Sequence, residues 1–312
     1  MSEIRRVVIC GAGAMGSVYA ARIHALDPDG LVVVAKGERR ARLEREGLTV
    51  NGRSFRVRCL SPDEPGAAAD LVIVAVKHHH LPSAIEDVRG FVGDQTLLMS
   101  LLNGVTSEEA LGRAFGREKV LYAYEIRTDA VRNGTTTRHS NEGHITLGVA
   151  DGDRSDPRVS AVCKFLERAK ISHDVPDDIV RGLWWKFMFN VGVNQVSAVL
   201  RAPYGAFADV PEVRALTRLA SLEAIAVAER QGVHIAPSDV DAIFPILARL
   251  TRDGKTSMLQ DVEAGRKTEV ELFAGTVVEL GRRHGIPTPV NELLGQMIAA
   301  LEQLGAAGTN RR

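Results

Sequence analysis

A lysine and two asparagines spaced four residues apart, Lys186, Asn190 and Asn194, are the most chemically pointed residues of the chain. They lie in the run Leu183-Trp184-Trp185-Lys186-Phe187-Met188-Phe189-Asn190-Val191-Gly192-Val193-Asn194, which holds both tryptophans and two of the nine phenylalanines. A helix over this run is apolar nearly all round and is expected to be buried. On it the three polar residues form one stripe, each about 6 Å further along the axis. Buried Lys and Asn are costly unless partnered, and no carboxylate stands three or four residues from Lys186. Two readings stay open. In the first, the lysine stem snorkels to water and the asparagines bond neighbouring backbone. In the second, the stripe faces a polar ligand, and aromatic surroundings lower the lysine pKa into the range that suits proton transfer near neutrality. Snorkelling explains one lysine more easily than three aligned polar residues.

A second set follows. Ser257-Met258-Leu259-Gln260 fits the capping pattern S-x-x-Q, so Ser257 is either a helix N-cap or a site hydroxyl. Glu269 stands twelve residues later, about 18 Å along an unbroken helix. For both to touch one small molecule the helix must bend or break between them, and Gly265 is the natural place.

The third set is Gly11-Ala12-Gly13-Ala14-Met15-Gly16, which follows the apolar run Val7-Val8-Ile9-Cys10 and opens a helix over Ser17 to Leu26. With the next apolar run, Leu31 to Ala35, this makes a βαβ unit of about 30 residues. In that setting Gly11 permits the tight turn, Gly13 lets backbone approach a pyrophosphate, and Gly16 lets helix and strand pack closely. The second strand ends Val34-Ala35-Lys36-Gly37-Glu38-Arg39-Arg40. A carboxylate at that tip binds a ribose 2′-OH, whereas cations suit a 2′-phosphate. Lys36 with Arg39 and Arg40 points to NADP (NADPH), with Glu38 as the residue that would favour NAD. Lys77 and Asn103 each follow a strand-like run, where open α/β sheets bind ligands. Between them His78 to His80 invite a metal reading, but adjacent residues just past a strand do not converge on one ion, so no metal is expected.

These residues need elements to position them. Leu71 to Val76, Thr96 to Leu101, Leu121 to Tyr124 and His144 to Val149 read as further strands, with helices over Ser83 to Val88 and Ser107 to Phe115. Asn51-Gly52 is a hairpin signal between Leu48 to Val50 and Phe55 to Cys59, and these strands are expected to extend the same sheet. After Pro176 no strand is evident. Helices are expected over Ile179 to Leu200, Val213 to Gln231, Ser238 to Arg252, Ser257 to His284 and Val290 to Leu304, with a frayed tail over Ala306 to Arg312. The fold class is α/β: a Rossmann-type dinucleotide-binding domain over 1–175 and an all-α domain over 176–312.

The set resembles the ketopantoate reductase family (2-dehydropantoate 2-reductase) over essentially the whole chain. The resemblance rests on Gly11 to Gly16, Val76-Lys77, Asn103-Gly104, Trp185-Lys186-x3-Asn190-x3-Asn194, Ser257 to Asp261, Thr268-Glu269 and the ending His284-Gly285-Ile286-Pro287-x-Pro289-x-Asn291. It implies NADPH-dependent reduction of ketopantoate or a similar 2-keto acid to the 2-hydroxy acid, in pantothenate and coenzyme A biosynthesis. Lys186 would be the general acid. Asn190, Asn194 and Ser257 would hold substrate carboxylate and hydroxyl groups, Asn103 would lie where cofactor and substrate meet, and Glu269 would bind near that junction. Lys36 and Lys77 would serve the cofactor. Two positions depart from the family pattern: Tyr204 stands where some members carry asparagine, and His80 where glutamine is common. A β-hydroxyacid dehydrogenase of the 6-phosphogluconate type fits Gly182-x3-Lys186-x3-Asn190 as well, and a non-catalytic NADPH sensor is the rival of another class.

Composition sets the outer limits. The 312 residues carry 39 Lys+Arg against 39 Asp+Glu and are 45% hydrophobic and 5% aromatic. Two domains are the expectation at this length. Zero net charge argues against nucleic acid and anionic membrane as partners. Cys10, Cys59 and Cys163 form neither a disulfide framework nor a zinc motif, and the N-terminal run lacks a signal-peptide pattern. A cytoplasmic enzyme is expected, with a small 2-keto acid as its partner and homodimerisation as a further expectation.

Overall fold

The structure, a computed structural model, describes residues 3–64 and 66–309, the last four of these by backbone alone. The chain divides into two compact units, one up to Val180 and one from Arg181 onward. The first begins β1 (Val7–Cys10), α1 (Ala14–Leu26), β2 (Leu31–Val34) and α2 (Gly37–Glu46). Next come β3 (Leu48–Val50), β4 (Arg53–Phe55), β5 (Arg58–Leu60), β6 (Leu71–Val74), α3 (Leu81–Val88), β7 (Leu97–Ser100), α4 (Ser107–Phe115) and β8 (Val120–Thr128). The unit ends with β9 (Val131–Asn133), β10 (Thr136–Arg138), β11 (Glu142–Gly148), α5 (Pro157–Arg168) and β12 (His173–Asp174).

The main sheet runs β12-β11-β8-β7-β6-β1-β2-β5. From β5 to β8 every pairing is parallel, and β11 runs antiparallel to β8. That is the doubly wound Rossmann order, extended at one edge. Period-two alternation divides its strands between two cores. Val7, Ile9, Leu31, Val33, Leu71 and Ile73 pack with Tyr19 and Ile23 of α1 and Val162 and Phe165 of α5. Val8, Cys10, Val32, Val34, Val72 and Val74 pack with Leu81, Ala84 and Val88 of α3 and Leu111 of α4. Both faces are covered, which is why these strands read as unbroken apolar runs.

The hairpin at Asn51-Gly52 forms, with both residues at positive φ (47° and 80°) as a two-residue type I′ turn needs. Its strands do not join the main sheet as expected. β3 and β4 belong to a separate sheet of order β4-β3-β10-β9, and the run expected as one strand over Phe55 to Cys59 is divided between β4 and β5. Side-chain alternation is the same on both sides of Arg56, so it does not mark where one sheet is left for the other. Helices α2 and α5 were not anticipated. α5 carries its own signal, Asp156 accepting from the Arg158 N–H at 2.7 Å ahead of Pro157 at the first helical position.

The second unit is helical, with no strand among its described residues. α6 (Ile179–Leu200), whose first two residues close the first unit, precedes α7 (Ala206–Asp209), α8 (Pro211–Arg230), α9 (Ile243–Ala248), α10 (Ser257–Glu263), α11 (Thr276–His284) and α12 (Pro289–Thr309). The helix expected over Ser238 to Arg252 is a 3₁₀ turn at Pro237–Val240 followed by α9. Pro245 fits only the first turn of a helix, so the helix starts anew at Ile243. The helix expected over Ser257 to His284 breaks at Ala264-Gly265, with Gly265 at φ 61°, and resumes through a π-helical turn at Glu271–Gly275. The last helix continues through Ala306 to Thr309, where a frayed tail was expected; residues 310–312 lie outside the described residues. Among the described residues no helix is long and apolar enough to cross a membrane.

Candidate functional site

The glycine turn joins β1 to α1 against the end of β6. Gly11 sits at φ 105°, and a Cβ there would lie 2.5 Å from the Ala75 carbonyl oxygen. At Gly16 a Cβ would fall 2.0 Å from the Gly11 carbonyl oxygen. Both glycines are therefore required by packing. Gly13 differs: it is exposed, and a Cβ would meet nothing nearer than the Ala75 oxygen at 4.0 Å. Gly13 is also the N-cap of α1, with no side chain capping the helix and no acidic residue in its first turn. Open space over uncapped amides at a positive helix end is what a dinucleotide pyrophosphate requires, so the residues present fit that group. Ala12 is buried, whereas Ala14 and Met15 are half-buried.

Parallel register gathers further candidates along the same edge. Ala75 N–H donates to Cys10 and Leu101 N–H to Val74, each at 2.8 Å, so the chain beyond β1, β6 and β7 leaves the sheet side by side. Lys77 and Asn103, both half-buried, lie on these exits, and Gly104 turns the second at φ 96°. A buried relay holds that turn: Ser100 Oγ accepts from the Leu102 N–H at 3.2 Å and donates to Ser107 Oγ at 2.8 Å. Ser107 Oγ in turn donates to Glu108 at 3.0 Å. Lys36, at the tip of β2, is exposed, and its ammonium donates to Asp87 of α3 at 2.7 Å. That hydrogen bond raises its pKa. Arg40 is engaged by Glu44 and Glu64 at 2.7 and 2.8 Å. The three histidines form a 3₁₀ turn in which the rings of His79 and His80 lie 4.2 Å apart.

In the second unit the α6 stripe has graded burial. Lys186 is half-buried, Asn190 is 9% exposed and Asn194 6%. Trp184 is buried edge-on to Phe187 at 5.6 Å, and Trp185 is half-buried beside Phe189 at 5.8 Å. The helix is fixed by a buried polar network. Gln195 donates to the Val191 carbonyl at 2.8 Å and to Asn291 Oδ1 at 2.9 Å. Asn291 donates to the Ala220 carbonyl at 3.1 Å and to Glu223 at 2.8 Å. Asn291, part of the family-like ending, thus ties α12 to α6 and α8.

The capping pattern at the start of α10 is shifted by one residue from the expectation. Its N-cap is Thr256, whose Oγ1 accepts from the Leu259 N–H and donates to Ser197 Oγ, each at 3.1 Å. Ser257 is the first helical residue and is exposed, with no capping duty. The Thr256–Ser197 bond fixes it beside the α6 turn that carries Asn194. Glu269 is half-buried just past the break at Gly265. Thr268 holds that segment by donating from its N–H and hydroxyl to Glu302 at 2.7 and 2.6 Å. Phe273, in the π-helical turn, stacks 6.3 Å from Phe187, the neighbour of Lys186. The break expected between Ser257 and Glu269 is therefore present, at Gly265. Tyr204 packs against Gly254, where a Cβ would lie 2.8 Å from its ring, and burial pushes its phenol pKa up.

Sequence reasoning missed one cation. Arg132 of β9 donates to the Gly13 carbonyl at 3.2 Å and to Ser17 Oγ at 2.8 Å, at the start of α1. Only the small sheet, built from two distant hairpins, brings it there.

Residues 7–152 match the family model described as ketopantoate reductase PanE/ApbA, and residues 178–302 match its C-terminal model. A 2-dehydropantoate 2-reductase of Archaeoglobus fulgidus is 30% identical, over 96% of this chain and 99% of the relative. One of Halobacterium salinarum is 29% identical, over 96% and 100%. Among solved structures, a 2-dehydropantoate 2-reductase from Geobacter metallireducens is 28% identical with a TM-score of 0.83, covering 95% of this chain and 99% of that one. D-mandelate dehydrogenase solved with NADH and anilino(oxo)acetate shares the fold at 19% identity and a TM-score of 0.85, over 96% and 99%. Two matched halves around a glycine cradle and a polar helix stripe place the chain, an oxidoreductase acting on a CH–OH group, in the ketopantoate reductase family.

Proposed function

We propose that the protein reduces 2-dehydropantoate, or a 2-keto acid of similar build, to the 2-hydroxy acid, using NADPH and serving pantothenate synthesis. The observation that carries this reading is the Lys186–Asn190–Asn194 stripe on a mostly buried helix, in a chain whose halves both match the family. A bound NADPH supplies the hydride. Lys186 donates a proton to the carbonyl oxygen as the carbon accepts that hydride, which removes the developing alkoxide charge. Asn190, Asn194 and Ser257 hold the carboxylate and hydroxyl groups by hydrogen bonds. Asn103 and Glu269 are further residues that would bind substrate, Asn103 also serving the cofactor. Gly11 to Gly16 and Lys77 hold the dinucleotide, and Lys36, with its ammonium on Asp87, lines the tip of β2.

NADPH is favoured over NADH because Arg39 and Arg42 are exposed just beyond β2, with Glu38 the one carboxylate at the start of α2. The cytoplasm is the setting that suits three free thiols, Cys10, Cys59 and Cys163. Homodimerisation suits the exposed Leu200, Leu219, Leu293 and Met297 of the helical unit, and a solved ketopantoate reductase from Staphylococcus aureus is described as dimeric. Light scattering is expected to give twice the mass of one chain.

The central test is NADPH absorbance with a panel of 2-keto acids, ketopantoate included. Turnover of ketopantoate or a branched analogue is expected; no turnover with any member overturns the reading.

A further inference from the structure

Arg132 is half-buried on β9, and three hydrogen bonds aim its guanidinium at the start of α1. Nε donates to the Gly134 carbonyl at 2.8 Å, inside its own hairpin turn, and this fixes the plane of the fork. Nη1 bridges the Gly13 carbonyl and Ser17 Oγ. Nη2 makes no hydrogen bond with any described residue, and no described carboxylate forms an ion pair with the group.

The surroundings oppose its charge. Burial, then repulsion from Arg42 and Arg39, push the guanidinium down to about 10. Both of those arginines are exposed on α2 and neither forms an ion pair among the described residues. The other cations near the tip of β2 are already matched, Lys36 by Asp87 and Arg40 by Glu44 and Glu64. Arg132 at the start of α1 and Arg39 and Arg42 in the first turns of α2 are thus unmatched cations that repel one another, and an anion among them relieves that repulsion. Its place is also specific, because α2 starts where a Rossmann fold reads the ribose 2′ position.

We propose that Arg132, backed by Arg39 and Arg42, binds the 2′-phosphate of NADP and sets the preference for NADP over NAD, in place of Lys36. This rests on the NADPH reading above. A phosphate monoester carries about −1.5 to −2 charges near neutrality, more than one lysine offsets. Nη2 of Arg132 keeps both of its N–H groups for phosphate oxygens, the other guanidinium donors being already engaged.

The test is calorimetric titration of NADP⁺ and NAD⁺ into the purified protein, without substrate. Wild type is expected to prefer NADP⁺. Arg132→Gln weakens NADP⁺ about 30-fold, the scale of lost charge-assisted hydrogen bonds, while NAD⁺ binding stays within about twofold. Arg132→Lys, which keeps the charge without the fork, falls between. Lys36→Gln changes NADP⁺ binding less than about threefold. If Arg132→Gln does not fold, Arg39→Gln with Arg42→Gln, both at exposed positions, gives the same selective loss, about tenfold. Equal weakening of both dinucleotides assigns Arg132 to the shape of the glycine turn and overturns the proposal, as does an unchanged preference. A wild type that binds NAD⁺ as tightly as NADP⁺ overturns the cofactor reading itself, and is told apart by appearing before any substitution.

Discussion

In the first unit the ligand cradle is made of absent atoms: Gly11 and Gly16 have no room for a Cβ, and Gly13 leaves its space empty. In the second, the polar stripe is made of side chains, held in place by the buried bonds of Gln195, Asn291, Thr256 and Thr268. Backbone register positions one and side-chain networks position the other. The two should therefore fail differently, the cradle through sterics at single atoms and the stripe through chemistry or through distant anchors.

The sharpest way to break the contrast is Gly16→Ala set against Gly13→Ala. The first forces a methyl onto the Gly11 carbonyl at 2.0 Å. It is expected to cost about 3 kcal/mol of stability and to abolish dinucleotide binding. The second adds a methyl into open space, so stability changes by no more than about 1 kcal/mol while NADP⁺ affinity falls. Urea unfolding and calorimetry on both variants check this. Comparable destabilisation would mean that the turn is not organised by those contacts.

Next in size is Lys186→Ala, expected to lower kcat about 1000-fold, within the range of a lost general acid. NADP⁺ affinity and unfolding midpoint should be unchanged. Full activity would remove Lys186 from the chemistry and leave the stripe as a binding device only.

Asn291→Ala tests the anchoring network without touching the stripe. It removes the Asn291 side-chain bonds to Gln195, Glu223 and the Ala220 carbonyl, while Glu223 keeps two backbone N–H donors and Gln195 keeps the Val191 carbonyl. The expected cost is about 2 kcal/mol, read from urea unfolding. A loss of kcat in the folded variant would show that the anchor also sets the alignment of α6. The smallest effect belongs to Lys36→Glu. With Arg132 carrying recognition, the ratio of NADP⁺ to NAD⁺ affinity is expected to fall by about threefold, on the scale of an exposed charge. A full reversal of preference would return the role to Lys36.

How much could be read beforehand follows the same division. The glycine turn is local, written within one βαβ unit, and every part of it was legible. The span of α6, Ile179–Leu200, was legible because Pro176 and Pro203 bracket a continuous apolar run. That Ser257 is not the N-cap was not, since the cap falls to Thr256, which is also held by Ser197 some sixty residues earlier. The small sheet was hidden because β3 pairs with β10 far along the chain, and Arg132 was hidden with it. Lys36 and Arg40 looked like free cations because Asp87 and Glu64 lie on other elements. What escaped notice in these four instances was a partner choice, which composition and periodicity do not encode.

The four-residue spacing of the polar stripe along α6 carries a last consequence, about molecular length. Four residues of helix advance about 6 Å, so the Lys186-to-Asn194 span measures about 12 Å. On the proposed reading a three-carbon keto acid, with its carbonyl at Lys186 and its carboxylate at one asparagine, would leave the other asparagine unused. A molecule with a further polar group several carbons beyond its keto acid would meet all three. The stripe would then act as a ruler, selecting by extent what the proton donor alone would accept by reactivity.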